Sequence, residues 1–366
     1  MSGLVAIRES PAALAKESFM HTIKRIYNKL LDPDYIAYTI RKAARGKRKR
    51  DEVRVVLEHI DEYTSETLDM ITTGRFELKP VSHKTIFERG KTRELTLSPF
   101  FPNRILDYLM VETLKPYIRK SMYEYCVGNV DKRGIDYGER VIERNYKRYK
   151  YYLKLDIRKF YPSVTSENLY AFLERKIADK RFLRLCKAVV MQVPDLPIGS
   201  YYSQWFSNWY LQDLDHYIKE ELRVPLYVRY VDDMVLMGNN KRKLLNAMYC
   251  INRKLGEKGL ELKEFGQVKR WDVAPLDFLG FRFGNEVRAR SAIFHRITKL
   301  LCCIHAHRHI TVSQARSLLS YIGWVRYFTH GYAFYNKRIK SLAPKGRLRR
   351  IISDYDRRTS ICQQSE

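Results

Sequence analysis

Two adjacent aspartates, Asp232 and Asp233, stand in the stretch VPLYVRYVDDMVLMGNN, with short runs of β-branched and aromatic residues on both sides. This pattern predicts a strand from Val224 to Tyr230, a tight turn and a return strand from Met234 to Met237. The two carboxylates then sit at a hairpin tip, where they repel each other and neither can be buried unpaired. An acidic turn in water needs nothing more than local hydrogen bonds. A metal site needs a third carboxylate on another strand, and a hard dication such as Mg²⁺ is the partner that carboxylate and phosphate oxygens suit.

Asp156 is the candidate third carboxylate. In YYLKLDIRKFYPSV, Leu153, Leu155 and Ile157 fall on one face of a short strand, with Lys154 and Asp156 on the other. A helix capped within Ser163 to Glu167 follows, then a helical stretch to Met191. LPIGSYYSQWFSNWYLQDLDHYI comes next, read as a Pro197–Gly199 turn opening a long helix with exposed amides in its first turn. Strand, helix, glycine turn and helix, then hairpin, is a split βαβ order that brings Asp156 beside Asp232. Three carboxylates converging from two strands can hold two Mg²⁺ about 4 Å apart, the arrangement for in-line phosphoryl transfer at a 3′-hydroxyl. Cations for a triphosphate are expected on the hairpin HKTIFE/TRELTLSPF, which turns at Arg89-Gly90-Lys91. Lys84 and Arg93 are the candidates there, with Lys91 as substitute.

The remaining elements must position these groups. Ser10-Pro11 opens a predicted helix to about Leu31, broken by Asp32-Pro33; a second helix leads into RKAARGKRKR, and apolar spacing from Asp51 to Thr73 predicts another, closed by Gly74. Pro102 starts a long helix in which Arg104, Asp107 and Glu112 alternate with an apolar face. Gly128, Gly134 and Gly138 punctuate a loop before a helix over Glu139 to Tyr149. KRKLLNAMYCINRKLGEKG reads as an amphipathic helix, LELKEFG and VKRWDVAPLDFLGFRFG as short strands, and the chain from Arg288 as basic and helical.

A formal net charge of +27 over 366 residues, with 27 tyrosines, points to a polyanion and to aromatic stacking on bases. Arg45, Lys47, Arg48, Lys49 and Arg50 are the expected phosphate-backbone contacts of a nucleic-acid partner. No apolar run approaches the roughly 20 residues of a membrane span. The N-terminus carries Glu9 and Pro11 where a signal peptide is apolar, so a cytoplasmic protein is expected. The six cysteines contain no C-x-x-C pair, which argues against zinc.

The chain resembles a reverse transcriptase over about residues 80 to 290. LDIRKFYPSV is similar to the family's first catalytic segment, YVDD to its second, KTRELTLSPFFPNR to the fingers segment with its triphosphate-binding arginine, and FLGF to the primer-grip turn. The resemblance implies an α+β right-hand polymerase. Its parts would be a helical basic extension over 1–79, fingers and palm with a split βαβ sheet over 80–290, and a basic helical thumb and tail over 291–366. Implied metal ligands are Asp156, Ile157, Asp232 and Asp233, holding two Mg²⁺ with Mn²⁺ as a substitute. Implied primer contacts are Tyr230, Phe278, Leu279 and Gly280. Tyr161, five residues after Asp156, is where the family keeps a bulky ring that clashes with a 2′-hydroxyl and so selects deoxynucleotides. No RNase H domain is expected.

IGSYYSQ departs from most of the family. Ile198 replaces a glutamine and Gln204 a proline, a form similar to the reverse transcriptases of diversity-generating retroelements, bacterial or phage-encoded and related to those of group II introns. Ile198, Gly199, Ser203 and Gln204 are then nucleotide-binding, and Ile198 cannot offer the hydrogen bonds of an amide. Each lost bond of about 1 to 2 kcal/mol relaxes discrimination roughly tenfold. The resemblance implies misincorporation opposite template adenines, a structured template RNA copied into cDNA, deoxynucleoside triphosphates as substrates, and a basic, oligomeric accessory variability protein. The rivals are a retron or group II intron type enzyme of ordinary fidelity, against which stand the absence of V-T-G in the thumb (ITVSQ at Ile310 to Gln314) and of a long C-terminal extension. A catalytically silent RNA-binding protein on the same scaffold is a third reading, opposed by the intact aspartates.

Overall fold

The computed structural model describes residues 23–88, 90–325 and 331–362. The helix expected from Ser10 lies outside these residues as far as position 22, and its described end is a 3-10 turn at Tyr27–Leu31. Asp32 caps α1 (Pro33–Ala43), its carboxylate accepting from the Asp34 amide at 2.9 Å with Pro33 in the first helical position. The single helix expected over 51–73 is two, α2 (Asp51–Glu58) and α3 (Ile60–Thr73), because His59 leaves helical geometry at φ −113°, ψ 39°. Gly74 ends α3 in the left-handed region, as a C-terminal glycine does.

In chain order there follow β1 (Ser82–Glu88), β2 (Lys91–Leu97), α4 (Ile105–Ser121), α5 (Ile135–Asn145), β3 (Tyr151–Asp156), α6 (Ser166–Lys176), α7 (Lys180–Val190) and α8 (Tyr201–Tyr210). Then come β4 (Leu226–Tyr230), β5 (Asp233–Gly238), α9 (Lys241–Gly256), β6 (Val268–Arg270), β7 (Leu276–Phe278), β8 (Phe281–Phe283), β9 (Val287–Ala289), α10 (Ser291–His307), α11 (Val312–Ile322) and α12 (Lys345–Cys362). The cap of α6 is Thr165, inside the expected Ser163–Glu167 stretch, its hydroxyl accepting from the Asn168 amide. LELKEFG is not a strand; a single bridge joins Leu262 to Ile157. Among the described residues no helix is long and apolar enough to cross a membrane.

The chain divides into two compact units, each assembled from separate stretches. One comprises the chain up to Met122, Lys159–Asp213 and Glu257–Leu260. Its axis is α4, which is buried nearly all round and packs against α1, α7 and α8. The expectation of a polar stripe on this helix is corrected accordingly: Asp107 and Glu112 are 6% and 8% exposed. Such carboxylates must find partners inside the fold.

The second unit comprises Tyr123–Arg158, Leu214–Gly256 and the chain from Glu261. It holds a four-stranded antiparallel sheet in the order β4-β5-β3-β6, the split βαβ arrangement. The face of β3 that carries Lys154 and Asp156 was expected to be polar, but it also carries Tyr152, which joins Val228, Val235 and Met237 in a core with α5 and β7–β9. Both faces are covered, and the carboxylate sits where that covering ends. α10, α11 and α12 close a separate core around Ile297, Leu301, Leu318 and Leu348.

Candidate active site

Hairpin register decides where the acidic groups meet. Tyr230 pairs with Asp233 across β4 and β5, leaving Val231 and Asp232 as the loop, and Asp156 pairs with Asp233 across β3 and β5. Directly opposed residues share a face, so Asp156 and Asp233 stand side by side. The Asp232 carbonyl accepts from the Ile157 amide at 3.3 Å, which ties the loop to the end of β3. Burial first, and then the charge of Asp156, push the Asp233 carboxyl above the ordinary range, against the pull of Lys154, Arg290 and Lys263. Lys154 Nζ lies 3.8 Å from Asp233 Oδ1 and Lys263 Nζ 3.6 Å from Asp156 Oδ2.

Among the described residues no three His, Cys, Asp or Glu side chains gather closely enough to hold a metal ion by themselves. The expected trio is a side-by-side pair, Asp156 and Asp233, with Asp232 in the adjoining loop. The donor set still fits Mg²⁺, which is bound through one or two carboxylates together with substrate phosphates and water. Burial and the neighbouring Asp156 raise the Asp233 carboxyl, and a cation bound there would favour its ionised form.

The FLGF segment turns between β7 and β8 at Leu279 and Gly280, with φ of 55° and 89°, the type I′ pattern of two-residue hairpins. A side chain on Gly280 would meet the Trp324 ring at 2.6 Å, so both conformation and space demand glycine. Phe278 is fully buried and its ring is core, which leaves the Leu279–Gly280 main chain as what this turn presents. Arg290 is fastened to the turn through its amide, donated to the Gly280 carbonyl at 2.9 Å, and through its ion pair with Asp277.

In the other unit, β1 and β2 pair Lys84 with Leu95 and Ile86 with Arg93. Lys84, Lys91 and Arg93 therefore occupy one face of the hairpin and are exposed there. Tyr161 lies half-buried in a single turn, Phe160–Ser163, edge-on to Phe160 at 5.7 Å. The Ile198 carbonyl accepts from the Thr96 amide at 2.9 Å. Gly199 has φ 118°, and a Cβ there would stand 2.9 Å from the Thr96 carbonyl oxygen, so no other residue fits.

The first turn of α8 differs from expectation. The amides of Tyr201 and Tyr202, expected to face a ligand, donate to Asp107 Oδ2 and Oδ1 at 2.8 Å each. Burial pushes the Asp107 carboxyl up to about 7, opposed by those amides and by Arg104. Tyr201 Oη donates to Glu112 Oε1 at 2.5 Å, Lys42 Nζ donates to Glu112 Oε2 at 2.5 Å, and the Tyr201 ring stacks on Tyr108 at 4.0 Å. Ser203 is 1% exposed with its hydroxyl 2.6 Å from that of Ser200, so it packs the helix start rather than facing outward. Gln204 is exposed and Ile198 half-buried. Asp107 holds the first amides of α8, and Glu112 with Lys42 holds the Tyr201 hydroxyl, contacts that pattern reading missed; the available signal was two acids inside an otherwise apolar helix.

Arg45, Arg48, Lys49 and Arg50 are exposed on the turn between α1 and α2. Lys47 is not like them: it donates to the Ala43 carbonyl, lies over the Tyr108 ring at 5.9 Å, and has its ammonium pKa lowered by burial and by Arg104 and Arg50.

An α+β fold with opposed carboxylates at the end of a split βαβ sheet is consistent with a right-hand polymerase. The chain belongs to the reverse transcriptase (RNA-dependent DNA polymerase) family, whose sequence profile matches residues 83–283, more than half of it. It is 29% identical over 128 residues to the retron Ec73 reverse transcriptase of Escherichia coli, an alignment covering 31% of this chain and 40% of that protein. The match thus spans less than half the relative's length.

Proposed function

We propose that the protein is an RNA-directed DNA polymerase that copies a structured template RNA into error-prone cDNA. The observation that carries the polymerase reading is the cross-strand pair Asp156–Asp233 with Asp232 in the adjoining loop. With Ile157, these residues would hold two Mg²⁺, which when bound lower the pKa of a primer 3′-hydroxyl and neutralise the triphosphate. Lys84 and Arg93, on one face of their hairpin, bind the phosphates, with Lys91 as substitute. Tyr161 excludes a 2′-hydroxyl. The main chain at Ile198 and Gly199, held by Thr96, presents the half-buried Ile198 and exposed Gln204 to the incoming nucleotide. Tyr230 and the Leu279–Gly280 turn position the primer end.

The error-prone reading rests on Ile198, where a hydrocarbon stands in place of an amide. The purified protein is expected to extend a DNA primer on a defined RNA with deoxynucleotides and Mg²⁺, with errors concentrated opposite template adenines. Absence of extension would sink the polymerase reading. A uniform low error rate would instead favour a retron-type enzyme, the reading supported by the similarity to the retron Ec73 reverse transcriptase. Ile198→Gln is expected to lower the error frequency about tenfold by restoring one hydrogen bond; unchanged errors would show position 198 to be neutral.

The basic turn between α1 and α2 binds template RNA by its phosphates. The exposure of Arg45, Arg48, Lys49 and Arg50 on one turn supports this, because phosphate contacts need cations that water and a polyanion can both reach. Replacing Arg45, Arg48, Lys49 and Arg50 by alanine is expected to weaken RNA binding and reduce the slope of log affinity against log salt by about 3. An unchanged slope would assign the segment to another partner, such as the accessory protein.

A further inference from the structure

We infer that Arg229 and Asp215 are positioning residues that hold the Val231–Asp232 loop, and with it Asp233, in its working conformation through a guanidinium that donates to the Val231 carbonyl. The inference rests on the assignment of Asp232 and Asp233 as catalytic residues. Val231 has φ 58°. It occupies the first loop position of a two-residue hairpin, which glycine ordinarily fills, and a β-branched residue there is strained. Strain of this kind persists only where the surroundings over-determine it.

Those surroundings are specific. Arg229 is fully buried. Its Nε and Nη2 donate to Asp215 Oδ1 and Oδ2 at 2.7 and 2.5 Å, and its Nη1 donates to the Val231 carbonyl at 3.0 Å. Asp215, also fully buried, is steadied by the Tyr227 hydroxyl at 2.9 Å. The main chain of Arg229 is clamped as well, its amide donating to the Tyr125 carbonyl at 3.0 Å and its carbonyl accepting from the Val127 amide at 2.8 Å. On the other side of the loop, a Cβ on Gly128 would stand 2.8 Å from both the amide nitrogen and Cγ2 of Val231. The loop therefore has a hydrogen-bond donor on one side and a close-packed backbone on the other.

Stability alone does not explain a charged pair here. Breaking a buried ion pair is strongly destabilising, but replacing both partners by apolar side chains of similar volume is often neutral or stabilising. What the hydrocarbon core would lack is the third donor, the one aimed at Val231. The guanidinium also has the geometry for this: a planar fork can meet a carboxylate with two nitrogens and a carbonyl with another.

The test is the triple variant Asp215→Leu, Tyr227→Phe, Arg229→Met, which removes the charges together with the hydroxyl they would leave unpaired. It is expected to melt near wild type, while kcat falls about 10²-fold and KM for deoxynucleotide changes by no more than about twofold, because misplacement by about an ångström acts on the chemical step. Without metal or substrate, amide hydrogen exchange across residues 226–238 is expected to speed up at the loop. A folded triple variant with wild-type kcat and exchange would overturn the inference and leave the pair as core packing. Should the triple variant not fold, Arg229→Lys, which keeps the charge but not the fork, is expected to lower kcat about tenfold, and unchanged kcat there would overturn the inference equally. Asp233→Asn separates the two layers. If it is active, the catalytic assignment fails; if it is inactive while the triple variant works, only this inference fails.

Discussion

Asp232→Ala combined with Asp233→Ala is expected to lower primer extension by about 10³-fold or more, since without these carboxylates the charge developing at the reacting phosphorus has no organised counter-charge. The accompanying expectation is that the double variant melts no lower than wild type. The Asp233 carboxyl is raised in the fold, so any stability linked to its proton is present below its ordinary range and lost as pH rises through the folded value. At neutral pH its charge beside Asp156 is therefore a burden, which alanine removes. Thermal melts and single-turnover extension on the same preparations check both halves. Persisting synthesis would remove the catalytic assignment, and a large fall in melting temperature would mean that the pair is structural instead.

Asp107→Ala is expected to cost about 1–3 kcal/mol for each of the two amides left without an acceptor, and to raise KM for deoxynucleotide about tenfold as the Ile198–Gly199 turn loses its anchor. Asp107→Asn keeps one acceptor oxygen and should lose less of both. The pH dependence carries the sign of a raised carboxyl. With a folded value of about 7 against an ordinary 3.8, the contribution of this group to stability is full below about 4 and is lost as pH climbs to 7. Wild-type melting temperature should fall across that window, at no more than about 1.4 kcal/mol per pH unit, and Asp107→Asn should flatten the fall. Activity should run the other way: the ionised carboxylate is the better acceptor for the Tyr201 and Tyr202 amides, so wild-type kcat/KM should rise through pH 7 while that of Asp107→Asn stays level. Parallel profiles in the two proteins would mean that another group is titrating.

Local pattern carried much of this protein into view. The alternation around Asp156 and the β-branched flanks of Asp232-Asp233 predict strands and a turn, because side-chain period and turn chemistry are set by neighbours a few residues away. The hairpin bearing Lys84 and Arg93 was equally legible, and its register placed both on one face. The misreadings share a cause. Asp107 and Glu112 looked like a polar stripe and the face of Lys154 and Asp156 looked polar, since exposure depends on what packs from far along the chain.

By itself, then, the sequence determined the paired-aspartate hairpin, the strand that meets it and the large positive charge, all properties of composition and short-range periodicity. Tertiary structure alone decided which buried charges found partners. Asp107 reaches amides 94 and 95 residues away, and the Arg229 guanidinium, two residues before Val231, is aimed by an aspartate 14 residues upstream. A buried carboxylate or guanidinium is tolerated only where the fold completes its hydrogen bonds, and no local pattern encodes where that completion comes from.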